Sequence, residues 1–254
     1  VYLDVSTMVD TKLPMQLMAT RYLGWTSKLA KFVNLLQSMK TIKTFFRKGP
    51  AQITRNMDAW LDFYRTYFPN EEALKCFVEG CEKLEFDDPR HRAKVMMHQG
   101  KRLLTIADAM EVVVSGRESL KLLFLLIASE NISKLHDAYD GEGMSRVYVK
   151  RFFNEFCTPE DKSAITCGIE RTGQESTLDD LISILYGIRC DVVHEGTYWG
   201  FDFATPESPS MLTGIHDQVV RVKMRYEEFR DIVARGIIVA TQQVIGQYAA
   251  QQQI

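Results

Sequence analysis

Arg189 and His194 stand close together in "YGIRCDVVHEGTYWGF", Tyr186 to Phe201, where an apolar segment gives way to glycine and aromatic residues. Arginine offers a planar fork of donors matched to phosphate and stays charged at any working pH. Histidine exchanges a proton near neutrality. A cation to hold phosphate and a group to move a proton are the minimum needed to cleave a phosphodiester without a metal. On an ideal helix the two residues point about 140° apart, so they are not stacked neighbours. A helix that loosens in its last turn, as Gly196 signals, would let them converge. A cation in the last turn of a helix also meets the helix dipole favourably, so a purely structural role stands beside the chemical one.

The element that must carry this pair is a helix over Thr177 to Val193. Leu178, Leu181, Leu185, Ile188 and Val192 recur at helical spacing and form its buried stripe, and Thr177 with Asp180 reads as a capping box. Helical periodicity dominates the rest of the chain. A stripe of Trp25, Leu29, Phe32, Leu36 and Met39 ends at Arg47 to Pro50, and a second helix runs from Ile53 to Tyr67 and stops at Pro69. Asn70 caps a third helix that ends near Glu85 to Pro89. Further helices are expected at His91 to Val114, Glu118 to Ala138 and about Ser145 to Phe156. A long closing helix carries Val222, Tyr226, Phe229, Val233, Ile237, Ala240, Val244 and Tyr248. Strand signals are weak, and Trp199 to Ser210 reads as loop. The expectation is an all-α helical bundle with an N-terminal helical extension.

Bulk properties narrow the choices. The 254 residues are 46% hydrophobic, enough for one large domain or a domain with an extension, and the net charge of −2 excludes a polycation made for nucleic acid. Any anion site must be local. Five cysteines without paired spacing argue against a disulfide framework, and no histidine cluster completes a metal site around Cys76 and Cys81. The longest apolar run, Leu120 to Ala128, is far too short to span a bilayer, and no secretory signal is visible. A cytoplasmic protein without a membrane partner is expected.

Several enzyme signatures are missing. "HQGKRL", His98 to Leu103, lacks the spacing of a phosphate-binding loop, and there is no glycine-rich dinucleotide fingerprint, no HExxH and no G-x-S-x-G. His91, His98, His136 and His216 are scattered among polar residues and read as surface histidines. Lys28, Lys31, Lys40, Lys43 and Arg47 make a basic face opposite the Trp25 stripe, which is either a solvated helix surface or a contact for a phosphate backbone or partner.

Arg, four residues, His, then Glu-Gly and an aromatic, at the end of the third long helix of an α-bundle, resembles the HEPN superfamily. "SLKLLFLLIASENISKLH" resembles its second core helix, including the polar Glu130; "SRVYVKRFFNEF" resembles the short element that follows, and Asp217 to Tyr248 the closing helix. The resemblance covers roughly Asp88 to Tyr248. It divides the chain into an N-terminal helical extension, 1–87, and a HEPN-like helical bundle, 88–254. It implies a homodimer that brings two Arg/His pairs into one cleft and a metal-independent endoribonuclease without a cofactor. RNA would be the substrate, in defence, toxin or stress-response biology, with an antitoxin or regulatory protein as a further partner. Arg189 would hold the scissile phosphate, and His194 would act as base on the ribose 2′-hydroxyl or acid on the leaving oxygen. The products would be a 2′,3′-cyclic phosphate and a 5′-hydroxyl.

The sequence departs from the family pattern at Cys190, where active members often carry Asn, Asp or His. Either Asp191 takes over the orienting role or the site is weakened, which keeps a catalytically inactive HEPN-like binding or scaffolding module as the alternative. A structural helical adaptor with an accidental Arg/His pair is a third class. Glu130 lies on a nearly all-apolar helix beside Leu123, Ile127 and Lys134. A buried carboxylate needs a partner, and Arg189 is the obvious one, whether to orient the site or only to hold the fold. Tyr198, four residues past His194, either touches the same cleft or is an ordinary loop aromatic.

Overall fold

Helix α4, Glu118–His136, carries the apolar run Leu120 to Ala128, and several other helices are arranged around it. Leu122, Leu125, Leu126, Ala128 and Ile132 are buried on it, and so are Ser119, Ser129, Glu130 and Ser133. A helix enclosed on most sides needs neighbours on most sides. They are α3 (Arg92–Val113), α5 (Ser145–Glu155), α7 (Leu178–Cys190) and α8 (Tyr226–Gln251). The computed structural model describes residues 53–83, 91–215 and 218–251, and the elements below are those of the described residues.

Two helices precede this group, α1 (Ile53–Tyr64), continued by a 3₁₀ turn at Arg65–Tyr67, and α2 (Glu71–Lys83). The predicted cap of α2 is present: the Asn70 side-chain oxygen accepts from the Ala73 amide at 2.8 Å. Trp60, Tyr64, Leu74, Phe77 and Val78 are buried in the same core as Met97, Leu104, Val233 and Val244. Residues on the N-terminal side of the predicted boundary at 87 are therefore packed into the bundle. Gly100 on α3 permits the closest of these approaches, since a Cβ there would lie 2.8 Å from Ile237 and 3.0 Å from the Tyr64 hydroxyl. That hydroxyl donates to the Met97 carbonyl at 2.7 Å.

The protein is mostly helical, with two additions that the periodicity did not show. Helix α6, Pro159–Gly168, opens on a capping box in which Thr158 and Asp161 satisfy each other's backbone amides. Asp161 is buried and also receives the Arg235 guanidinium from α8. A small antiparallel sheet follows, in the order β1-β3-β2, from Ile169–Arg171, Ser210–Ile215 and Gln218–Val222. Ile169 lies opposite Val222, and Ser210 lies opposite Val222 on the other side. The closing helix therefore starts at Tyr226, not Asp217. Val222, which fits the helical step of the segment after it, belongs to β3, where Val220 and Val222 alternate into the core with period two.

Two histidines read as surface residues are enclosed. The His136 side chain is 9% exposed and packs against Phe156. His98 is half-buried and meets Trp60 edge-on at 6.0 Å. Burial pushes both imidazoles below the ordinary histidine range, helped at His136 by Arg151 and at His98 by Arg102. His216 and the Trp25 helix lie outside the described residues.

Candidate active site

Helix α7 begins as its sequence dictates. The Thr177 hydroxyl accepts from the Asp180 amide at 3.2 Å, and the Asp180 carboxylate accepts from the Thr177 amide at 3.1 Å. The Thr177 hydroxyl also donates to the Asp180 carboxylate at 2.7 Å, and this bond, with the one from the Thr177 amide, holds that carboxylate below its usual range. Leu181, Leu185, Ile188 and Val192 are buried as the stripe requires, with Ile182 beside them and Leu178 half-buried.

The end of the helix is the unusual part. After Cys190 the backbone widens into a π-helical segment, Asp191–Glu195, closed by Gly196 in the left-handed region at φ 67°. The amides of Gly196 and Thr197 both donate to the Asp191 carbonyl. Bonding from i to i+5 puts more residues into each turn, which narrows the 140° angle that an ideal helix would leave between Arg189 and His194. The expected loosening at Gly196 is thus a feature of the backbone.

Arg189 reaches across to α4. Its Nη2 lies 3.6 Å from Glu130 Oε2, with 17% and 10% of the two side chains exposed. Glu130 is fixed from its other oxygen: Lys134 Nζ donates to Oε1 at 2.7 Å, and the Ser145 hydroxyl donates to the same atom at 2.6 Å. One buried carboxylate therefore ties together α4, the first residue of α5 and the last turn of α7. On its other side the Arg189 guanidinium lies 5.3 Å from the Tyr186 ring centroid, a cation–π distance. Burial raises the Tyr186 phenol, and the neighbouring Arg189 charge opposes that shift. Lys134 in turn lies 5.9 Å from the rings of both Tyr139 and Tyr148.

The remaining predicted residues fall in different places. His194 is exposed, and among the described residues its ring makes no hydrogen bond or ion pair. Asp191 is exposed, and Cys190 is half-buried with a free thiol. Tyr198 is drawn away toward the start of α4, where Arg117 Cζ sits 5.7 Å from its ring and Trp199 meets it edge-on at 5.3 Å. Lys28, Lys31, Lys40, Lys43 and Arg47 lie outside the described residues. Ser145, Lys134 and Tyr186 were missed as site residues. Lys134 had a signal, four residues after Glu130 on one helix face, and Tyr186 had one at three residues before Arg189. Ser145 had none, because only the turn between α4 and α5 brings it back.

Among the described residues no group of three or more His, Cys, Asp or Glu is arranged to hold a metal ion, and no helix is long and apolar enough to cross a membrane. The arrangement offers a guanidinium anchored by Glu130 in the last turn of α7 and an exposed imidazole five residues further along the chain, on the π-helical turn. No family model, no curated protein and no solved structure matches the chain.

Proposed function

We propose that the protein is a HEPN-type, metal-independent endoribonuclease in which Arg189 and His194 act at a cleft shared by two copies of the chain. The observation that supports this most is the tie from Glu130 to Arg189 at a widened helix end. A guanidinium held by a carboxylate on one edge and an aromatic ring on one face keeps its other donors for a phosphate and loses little freedom on binding it. Charge developing on the phosphate oxygens would meet that fixed cation. His194, exposed and without a hydrogen bond or ion pair among the described residues, is accessible to a ribose hydroxyl and would move its proton.

The second reading is a catalytically inactive HEPN-like binding module. It is favoured by the lack, among the described residues, of any side-chain partner to orient His194, and by Cys190, a weak hydrogen-bonding group, directly after the arginine. A second copy of the chain would supply orientation under the first reading, and nothing would under the second.

The deciding experiment is RNA cleavage in EDTA by the wild type, Arg189→Ala and His194→Ala. The nuclease reading expects cleavage by the wild type and a loss of about 10²-fold or more in each variant. Equal activity in all three assigns the chemistry elsewhere, and no cleavage by a protein that binds RNA leaves the binding module.

A further inference from the structure

Trp199 is 64% exposed, in a segment without regular structure between the π-helical turn and β2. A single exposed apolar residue needs no explanation, but this indole is braced. Tyr198 meets it at 74°, edge to face, and the Arg117 guanidinium lies 5.7 Å from the centre of the Tyr198 ring. The order of groups is therefore cation, half-buried ring, exposed ring. Aromatic faces backed by arginine are the surfaces on which unpaired bases stack.

Its placement relative to the Arg/His pair is set by α4. Arg189 meets α4 at Glu130, near that helix's C-terminal end; the π-helical segment packs against the same helix; Tyr198 meets it at Arg117, its N-cap residue. The chain from Arg189 to Trp199 thus runs back along α4 for nearly four turns, about 20 Å at 1.5 Å per residue. The phosphate clamp and the aromatic face meet one helix near its two ends, and the segment that carries His194 packs against the same helix, a span within the reach of a few nucleotides of extended strand.

From this we infer that Trp199, backed by Tyr198 and Arg117, is a stacking subsite for an unpaired base of the RNA that the Arg189/His194 site cleaves. It rests on the nuclease reading for the identity of its ligand. It gives the site a demand for single-stranded RNA on one side of the scissile phosphate, since a paired base has no free face to offer.

The test uses the full chain with His194→Ala as background and two 2′-O-methyl oligouridylates of equal length, one intact and one with abasic positions throughout. Trp199→Ala should weaken binding of the intact oligomer about tenfold or more, and Trp199→Phe should keep most of the affinity. The abasic oligomer, with the same phosphates, should bind as weakly to the parent as the intact one binds to Trp199→Ala, and the two losses should not add. Unchanged affinity in Trp199→Ala, an equal further loss with the abasic oligomer, or no oligomer binding at all overturns the subsite. So does a variant that loses self-association and keeps its RNA affinity, which would make Trp199 a protein contact. Cleavage by the chain with His194 intact is scored separately. Cleavage that needs Arg189 and His194 with affinity indifferent to Trp199 removes the subsite and keeps the nuclease; Trp199-dependent binding without cleavage does the reverse.

Discussion

Arg189 on α7 and Glu130 on α4 lie 3.6 Å apart, and the carboxylate is gripped from its other oxygen by Lys134 and Ser145. The two ends of this contact are not equivalent. Among the described residues Glu130 has three polar partners and Arg189 has one carboxylate, so removing the acid disturbs more than removing the base. Glu130→Ala should lower stability by about 2–3 kcal/mol, because it strands two cations at a partly buried site. Arg189→Ala leaves the carboxylate with Lys134 and Ser145 and should cost about 1 kcal/mol. Urea unfolding of the two variants measures the difference, and a larger loss in Arg189→Ala would contradict this arrangement.

Gly196 closes the π-helical turn at φ 67°, with open space around its Cα. An alanine there meets no atom, so the whole effect of Gly196→Ala is backbone strain, about 1 kcal/mol. The strain bears on the turn that carries His194. Cleavage should therefore fall more than stability does, whereas Gly200→Ala, in equally open space, should leave cleavage unchanged.

His136 and His98 are held below the ordinary histidine pKa of about 6.5 by burial. The unfolded chain binds more protons than the folded one just below that value. The stability they contribute is thus fully present above about pH 6.5 and is lost as pH falls through it. Urea midpoints should drop from pH 7.5 to pH 5.5, and His136→Gln should flatten part of that slope. A midpoint that rises on acidification would contradict the burial of these rings.

The helices were legible because apolar residues recur every three or four positions and because Asn70, Thr177 and Gly196 mark ends with residues suited to them. One of Glu130's partners was legible from cost alone: a carboxylate on an apolar helix needs a cation, and Arg189 supplies one from α7, whereas Lys134 and Ser145, which hydrogen-bond it, were not foreseen. Other features depend on which parts of the chain meet. Ser145 joins Glu130 only because the turn between α4 and α5 returns it, and His136 is covered by Phe156 from the end of α5. β3 was hidden by five residues of period-two pattern running into a long helical pattern. Helix α6 is only ten residues long, and its signals lie all at its start, in the Thr158/Asp161 capping box, Pro159 at the first position and acidic residues in the first turn.

Association should be symmetric. Val193 on the π-helical turn and Val147 on α5 are about half exposed, close in sequence to His194 and Ser145. A two-fold contact through α5 and the π-helical turn at the end of α7 would cover such a surface and unite two Arg/His pairs. Light scattering at micromolar concentration should report twice the mass of the chain, and Val193→Asp should shift it toward the monomer and reduce cleavage in parallel. A monomer at every concentration that still cleaves would remove the shared cleft from the mechanism.

The most direct measurement is the chemistry of the cut ends. A short 5′-labelled single-stranded RNA is incubated with the protein in EDTA, and the products are resolved by mass. Attack by the 2′-hydroxyl predicts 2′,3′-cyclic phosphate and 5′-hydroxyl ends, formed by the wild type and lost in Arg189→Ala and His194→Ala. Products with 3′-hydroxyl and 5′-phosphate ends that appear only when magnesium is added would contradict the account.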